Sequence, residues 1–225
     1  MQIAREGIPL VLTFLGAHVL LAAGAFLTQP AANWLGPRNL IVAAAMLFAL
    51  LTLFSLYFFR DPERRVPQDV GLVVSPADGR VLKLDLLDEP DFIGGRCERA
   101  SIFMNAFDVH VNRSPLAGTV RYRSYRPGKF INASLDKAST GNEALALGLE
   151  SSDGGAKVLV RQIAGLVARR IVCRAVEGAH LERGQRYGMI RFGSRVEVYL
   201  PAGAIWKIKP GERVRAGESV IAELP

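Results

Sequence analysis

Two uninterrupted apolar stretches open the chain, and a short-period pattern replaces them afterwards. Residues 8–27 run without a formal charge, as do residues 40–59. Each is long enough to cross the hydrocarbon core of a bilayer as a helix of about 20 residues. Between them, residues 28–39 carry Gln29-Pro30, Asn33 and Gly36-Pro37, a turn-rich connector that predicts a helical hairpin. From Asp69 onward the apolar positions fall into short runs such as Gly71-Leu72-Val73-Val74, residues 168–173 and residues 195–200, punctuated by Gly, Pro, Asn and Asp. Helical periodicity is hard to find after residue 60. The predicted organisation is a membrane-anchoring hairpin over 1–60 and a mostly β domain over 61–225.

Two internal echoes refine the β part. Ser75-Pro76-Ala77-Asp78-Gly79-Arg80-Val81 recurs as Ser114-Pro115-Leu116-Ala117-Gly118-Thr119-Val120, and the loop 178–185 returns as 211–218, each with glycine at its first and seventh positions. Tight loops of this kind aim paired strands at one another. The arrangement resembles the barrel-sandwich hybrid of biotinyl and lipoyl carrier domains. Asp78 has no counterpart in the second turn, where Ala117 stands.

Charge changes the picture next. The formal net charge is +7, and since Arg5 and Glu6 cancel, Arg38 is the only part of it that precedes residue 60. A basic domain beside a membrane anchor is drawn to anionic lipid, each surface-proximal Lys or Arg adding about 1 kcal/mol. Arg5 before the first stretch and Arg60-Asp61-Pro62-Glu63-Arg64-Arg65 after the second place both flanks, and hence the β domain, on the cytoplasmic side of the cell's inner membrane. Nucleic acid is not expected as a partner, because no helix-turn-helix, zinc or aromatic-basic pattern accompanies the charge. Cys97 and Cys173 are the only cysteines. They lack metal-ligand spacing and are expected to be reduced and partly buried, with no metal site. His18, within the first apolar stretch, is expected to pack neutral against the partner helix.

Candidate chemistry lies in four places. Gly193-Ser194 interrupts an apolar strand-like run; a glycine leaves its own carbonyl unshielded, so the following hydroxyl is able to attack that peptide bond. His110 sits in Phe107-Asp108-Val109-His110-Val111-Asn112-Arg113, where alternation puts Asp108, His110 and Asn112 on one strand face and offers a proton-transfer group. Asp78 occupies the first Ser-Pro turn. Residues 132–143 form a polar stretch suited to a mobile loop over a site. Read singly, each has a plain alternative: a strand kink, a structural histidine, ordinary Asp-Gly turn chemistry and a solvated linker.

Taken together and in this order, Ser75-Pro76-Ala77-Asp78-Gly79, the segment Phe107 to Pro115, the 132–143 loop and Phe192-Gly193-Ser194 resemble the phosphatidylserine decarboxylases of the short bacterial and archaeal type. That resemblance implies a self-processing enzyme. Ser194 would cut the chain after Gly193 into a large chain, 1–193, and a small chain, 194–225, that stay associated, and would itself become a pyruvoyl group, the cofactor. The pyruvoyl carbonyl would then take the amine of phosphatidylserine, allow carbon dioxide to leave and yield phosphatidylethanolamine. His110 matches the family histidine tied to decarboxylation, and Asp78 the aspartate that supports self-cleavage. Longer members carry a second histidine where Arg113 stands here, so His110 polarised by Asp78 is expected to serve both steps. Asn112 and Arg113 are expected to meet the substrate's headgroup, Arg113 through its anion-matching guanidinium or else in a plain salt bridge. Exposed strand edges favour a homodimer. Two other readings remain open: the same chemistry on an ether phosphoserine lipid, and a membrane-anchored hybrid-fold adaptor without catalysis, which gives no use to Asp78, His110 and Gly193-Ser194 together.

Overall fold

The computed structural model describes residues 2–28, 36–166, 170–191 and 193–225. The chain divides into two compact units, Met1–Glu63 and Arg64–Pro225. In the first, strands β1 (Gln2–Ile3) and β2 (Arg60–Asp61) pair at the base of two long helices, α1 (Ile8–Leu27) and α2 (Pro37–Phe58). Pro9 and Pro37 stand in the first turns, where a backbone N–H has no intrahelical partner to lose. The helices run antiparallel: Phe14 lies against Phe48 with ring centroids 6.0 Å apart, and His18 Nδ1 is 2.9 Å from the Ala45 carbonyl of the other helix. Both are long and apolar enough to span a membrane, with mean hydropathy 2.2 and 2.4. Their outward faces carry uncovered side chains such as Leu20 and Leu50, as lipid contact requires. Most of the expected connector, including Gln29-Pro30 and Asn33, lies outside the described residues.

The second unit is built from strands β3 (Leu72–Val74), β4 (Gly79–Glu89), β5 (Gly95–Met104), β6 (Val111–Arg113), β7 (Gly118–Arg126), β8 (Ala144–Ser151), β9 (Lys157–Ile163), β10 (Ile171–Cys173), β11 (His180–Leu181), β12 (Arg186–Ile190), β13 (Ser194–Pro201), β14 (Ile205–Trp206), β15 (Arg213–Val214) and β16 (Val220–Glu223). One helical turn, α3 (Ala138–Gly141), interrupts them. An eight-stranded sheet in the order β11-β7-β8-β9-β13-β5-β4-β15 curls over two three-stranded sheets, β10-β12-β6 and β14-β16-β3. Every strand pair is antiparallel. The unit is therefore mostly β, as the short apolar runs predict. Of the run 168–173, Ala168 and Arg169 lie outside the described residues and Ile171–Cys173 forms β10.

The sequence echoes are a structural repeat. Val74 N–H donates to the Pro115 carbonyl, and at the equivalent place Arg113 N–H donates to Pro76 (2.8 and 2.9 Å). Each Ser-Pro turn is closed by its own serine, Ser75 Oγ to the Ala77 carbonyl and Ser114 Oγ to Leu116. Each turn is also docked by one glycine loop: Gly217 N–H donates to Ser75 and Gly184 N–H to Ser114. The loops then supply short edge strands, β15 onto β4 and β11 onto β7. Two half-motifs thus clasp each other about a pseudo-two-fold axis, the arrangement expected of a barrel-sandwich hybrid. Into the core between the sheets go Val73, Val81, Ile102, Val120, Leu149, Val196, Val198, Leu200 and Ile221, all essentially inaccessible. Full burial of each such aliphatic side chain is worth about 2 kcal/mol.

Candidate active site

Strand β13 is central, hydrogen-bonded to β5 on one side and β9 on the other, and Ser194 is its first residue. Ser194 opposes Met104 in the register and is fully buried. Its hydroxyl donates to Met104 Sδ at 3.5 Å. Gly193, just before it, has φ +66°, a left-handed conformation in which a side chain is strained. The carbonyl that a serine cut would attack is therefore presented by a residue that only glycine fills comfortably.

From Met104 a buried polar lane continues. Asn112 Nδ2 lies 3.8 Å from Met104 Sδ, and Asn112 Oδ1 accepts from Gln162 Nε2 at 2.8 Å. Gln162 Oε1 is buried with no hydrogen-bond partner among the described residues. A buried amide oxygen in that condition is a ready acceptor for an incoming donor. Nothing in the alternation of β9 marks Gln162, because residues of both faces of the strand, Val158, Leu159, Val160 and Ile163, are as buried as it is.

His110 lies two residues before Asn112 and is fully buried. Its Nδ1 is 2.9 Å from the Asp108 carbonyl. A carbonyl only accepts, so Nδ1 carries the proton and Nε2 is the basic nitrogen of the neutral ring. The expected alternation about His110 does not appear as an inside and an outside face. Asp108 closes a turn onto the Asn105 N–H (2.9 Å), β6 begins only at Val111, and residues 108–112 are all buried because this segment runs between layers.

The Asp78 carboxylate takes two hydrogen bonds from Arg64 Nη2 (2.9 and 3.0 Å) and one from the Ala216 N–H (2.8 Å). Burial pushes the Asp78 carboxyl above the usual aspartate range, and Arg64 with the Ala216 N–H offsets part of that. This ion pair is what distinguishes the first Ser-Pro turn from its Ala117 counterpart. Arg64→Leu should destabilise the fold by about 2 kcal/mol, because it strands a largely covered carboxylate. Adding Asp78→Asn should recover most of that loss, as read by thermal unfolding in detergent. Arg113 is 5% exposed and donates to the Gly184 carbonyl at 3.1 Å. It therefore packs against both glycine loops, close to Gly184 and Gly217.

On the opposite face of β13 lies a charged cluster. Arg195 and Glu197 are both fully buried. Glu197 accepts from Ser139 Oγ and Tyr199 Oη (2.6 Å each), and Arg195 Nε and Arg99 Nη1 approach it at 3.4 and 3.6 Å. Arg195 also donates to Ser139 Oγ. Burial lowers the Arg195 pKa from its usual value, against the pull of Glu197. Ser139 belongs to the 132–143 segment, which this cluster pins directly behind Ser194. Cys97 and Cys173 are free thiols, and burial raises the pKa of both.

The phosphatidylserine decarboxylase family matches residues 51–222. A phosphatidylserine decarboxylase proenzyme of Symbiobacterium thermophilum is 51% identical over 223 residues, 99% of this chain and 96% of the relative. The protein of the same name from Nitrosomonas europaea is 48% identical over 221 residues, 98% and 94% of the two chains. That from Nitratidesulfovibrio vulgaris is 54% identical over 178 residues, 79% and 81%. With the match covering most of its length and half its residues shared with full-length relatives, the chain belongs to the phosphatidylserine decarboxylase family of carboxy-lyases.

Proposed function

We propose that this chain is a membrane-bound proenzyme that cuts itself between Gly193 and Ser194 and then converts phosphatidylserine to phosphatidylethanolamine. The observation that carries the reading is the buried Ser194 hydroxyl set directly after a left-handed Gly193, at the head of a strand held on both sides. In the cut, Ser194 Oγ bonds to the Gly193 carbonyl carbon, the C–N bond breaks, and the hydroxyl proton ends on the freed nitrogen. Loss of the Ser194 Cα proton next breaks the Cβ–Oγ bond and releases the large chain with Gly193 as a carboxylate. Water then displaces the nitrogen as ammonia, leaving a pyruvoyl group at the head of the small chain.

The surroundings of Ser194 suit such a group. Met104, Asn112 and Gln162 are uncharged, and the buried Gln162 Oε1 offers an acceptor to a substrate amine. The pyruvoyl carbonyl supplies an electron sink that lets the substrate carboxylate leave as carbon dioxide. His110 Nε2 is assigned the proton transfers. Asn112 and Gln162 orient the headgroup, and the sheet excludes water from Ser194. After the cut, β13 keeps its ladders to β5 and β9, so the small chain stays in place. In this reading the helical hairpin is the anchor, and the basic residues flanking it support a cytoplasmic position for the β unit.

The test is intact mass of the detergent-purified chain with a phosphatidylserine vesicle assay. Two polypeptides split after Gly193, a ketone on the smaller one, and phosphatidylethanolamine as product are the expected results; one uncut chain without conversion overturns the proposal. His110→Ala should remain uncut. Cutting of that variant at the parental rate would restrict His110 to the later step.

A further inference from the structure

Gly165 follows β9 and lies against the bond that the proposed cut would break. A Cβ built on it would overlap the Gly193 carbonyl oxygen and stand 3.0 Å from the Gly193 carbonyl carbon. Only a hydrogen fits between this backbone and the scissile carbonyl. The same Cβ would come within 3.3 Å of Ala133 Cβ, so the 132–143 segment, the end of β9 and the scissile peptide meet at one place.

What holds Gly165 there is Asn142. Its side chain is fully buried and all its hydrogen-bonding atoms are engaged. Nδ2 donates to the carbonyls of Ala164 (2.7 Å) and Ile131 (2.8 Å), and Oδ1 accepts from the Ile131 N–H (3.1 Å). The Ala164 N–H in turn donates to the Glu143 carbonyl at 2.9 Å. Residue 164 is thus gripped through both its backbone groups, and residue 165 is set by it.

We infer that Gly165 is a positioning residue for self-cleavage, held by Asn142, whose bare Cα fixes the Gly193 carbonyl where Ser194 Oγ can reach its carbon. The inference rests on the cut proposed above. Its physical basis is that an attack of this kind needs the reacting atoms about 3–3.5 Å apart and aligned, and a misplacement of about 1 Å costs on the order of a hundredfold in rate. A methyl group at residue 165 has to move either Gly193 or the β9 end by such an amount. The effect should be confined to the cut. Afterwards Gly193 is a free chain end, and the peptide carbonyl that Gly165 touched no longer exists.

The experiment follows the full-length chain after a pulse of synthesis, reading the cut fraction by gel and mass. It then measures phosphatidylserine turnover per mole of ketone in the processed fraction. Gly165→Ala is expected to slow cutting on the order of a hundredfold while turnover per ketone stays at the parental value. Adding Ala133→Gly, which relieves only the contact with the loop, should not restore the rate. Cutting at the parental rate overturns the inference, as does rescue by Ala133→Gly or an equal fall in turnover per ketone, both of which indicate a structural role. If the alanine chain does not accumulate, Asn142→Asp carries the same test: it keeps the shape, loses both donors, and should slow the cut without changing turnover per ketone. A parental chain that stays uncut would sink the proposed function itself, an outcome distinct from all of these.

Discussion

Ser194→Ala is expected to accumulate as one uncut polypeptide that releases no carbon dioxide from phosphatidylserine. The substitution removes a single oxygen, and that oxygen is the nucleophile of the cut and the leaving group of the elimination that follows. No neighbouring group replaces it, since Ser194 Oγ has Met104 Sδ as its partner and lies out of solvent. Loss should therefore be on the order of a millionfold, the scale for deleting a nucleophile that works as part of a unit. Stability should hardly change. The hydroxyl donates only to a sulfur, a weak acceptor, so its removal strands no strong buried partner. Matching melting curves for variant and parent precursor, with cutting abolished, would separate chemistry from folding. A variant still split after Gly193, or still turning over substrate, would refute the mechanism.

The second large effect is on folding. Glu197→Ala should destabilise the β unit by about 3–5 kcal/mol, because it leaves Arg195 buried without its counter-charge and strips Ser139 and Tyr199 of their acceptor. Glu197→Gln preserves shape and an acceptor and should lose less. Replacing Arg195 and Glu197 together by Met and Leu should cost less than the two single changes added, since the stranded charge disappears with its partner. These measurements are best made in the Ser194→Ala background, where one uncut chain unfolds and two-state treatment is simplest. Equal losses for Glu197→Ala and Glu197→Gln would show that charge compensation is not what the cluster supplies.

Much of the architecture was legible from pattern alone. Apolar runs without charge marked both helices that are long enough to span a membrane, because a helix in lipid must satisfy its backbone internally and present apolar side chains outward. The paired Ser-Pro and glycine-loop echoes announced the two clasping half-motifs, because turn chemistry is local and leaves residue types behind. The Gly193-Ser194 pair stood out for the same reason. Asp78 stood out by its asymmetry with Ala117, although its partner is Arg64, a residue that reads from sequence as part of a juxtamembrane basic flank. The 132–143 stretch reads from sequence as a mobile loop over a site, with a solvated linker as the alternative, yet Ser139 and Asn142 within it are buried hubs. Their polarity signals hydrogen bonding to segments far away in the chain.

Residue identity and local order by themselves determined the two long apolar helices, the β class of the second unit, the repeated turns and the Gly-Ser pair with its potential nucleophile. Only the tertiary structure decided what surrounds that pair. Period-two alternation in β13 separates Arg195, Glu197 and Tyr199 from Val196, Val198 and Leu200 but cannot tell which face is covered, and here both are. Met104, Gln162, Asn142 and Gly165 gain their roles from strand register and from segments packed at long range. Such contacts depend on how sheets curl and close over one another, a property of the whole chain that no window of sequence contains.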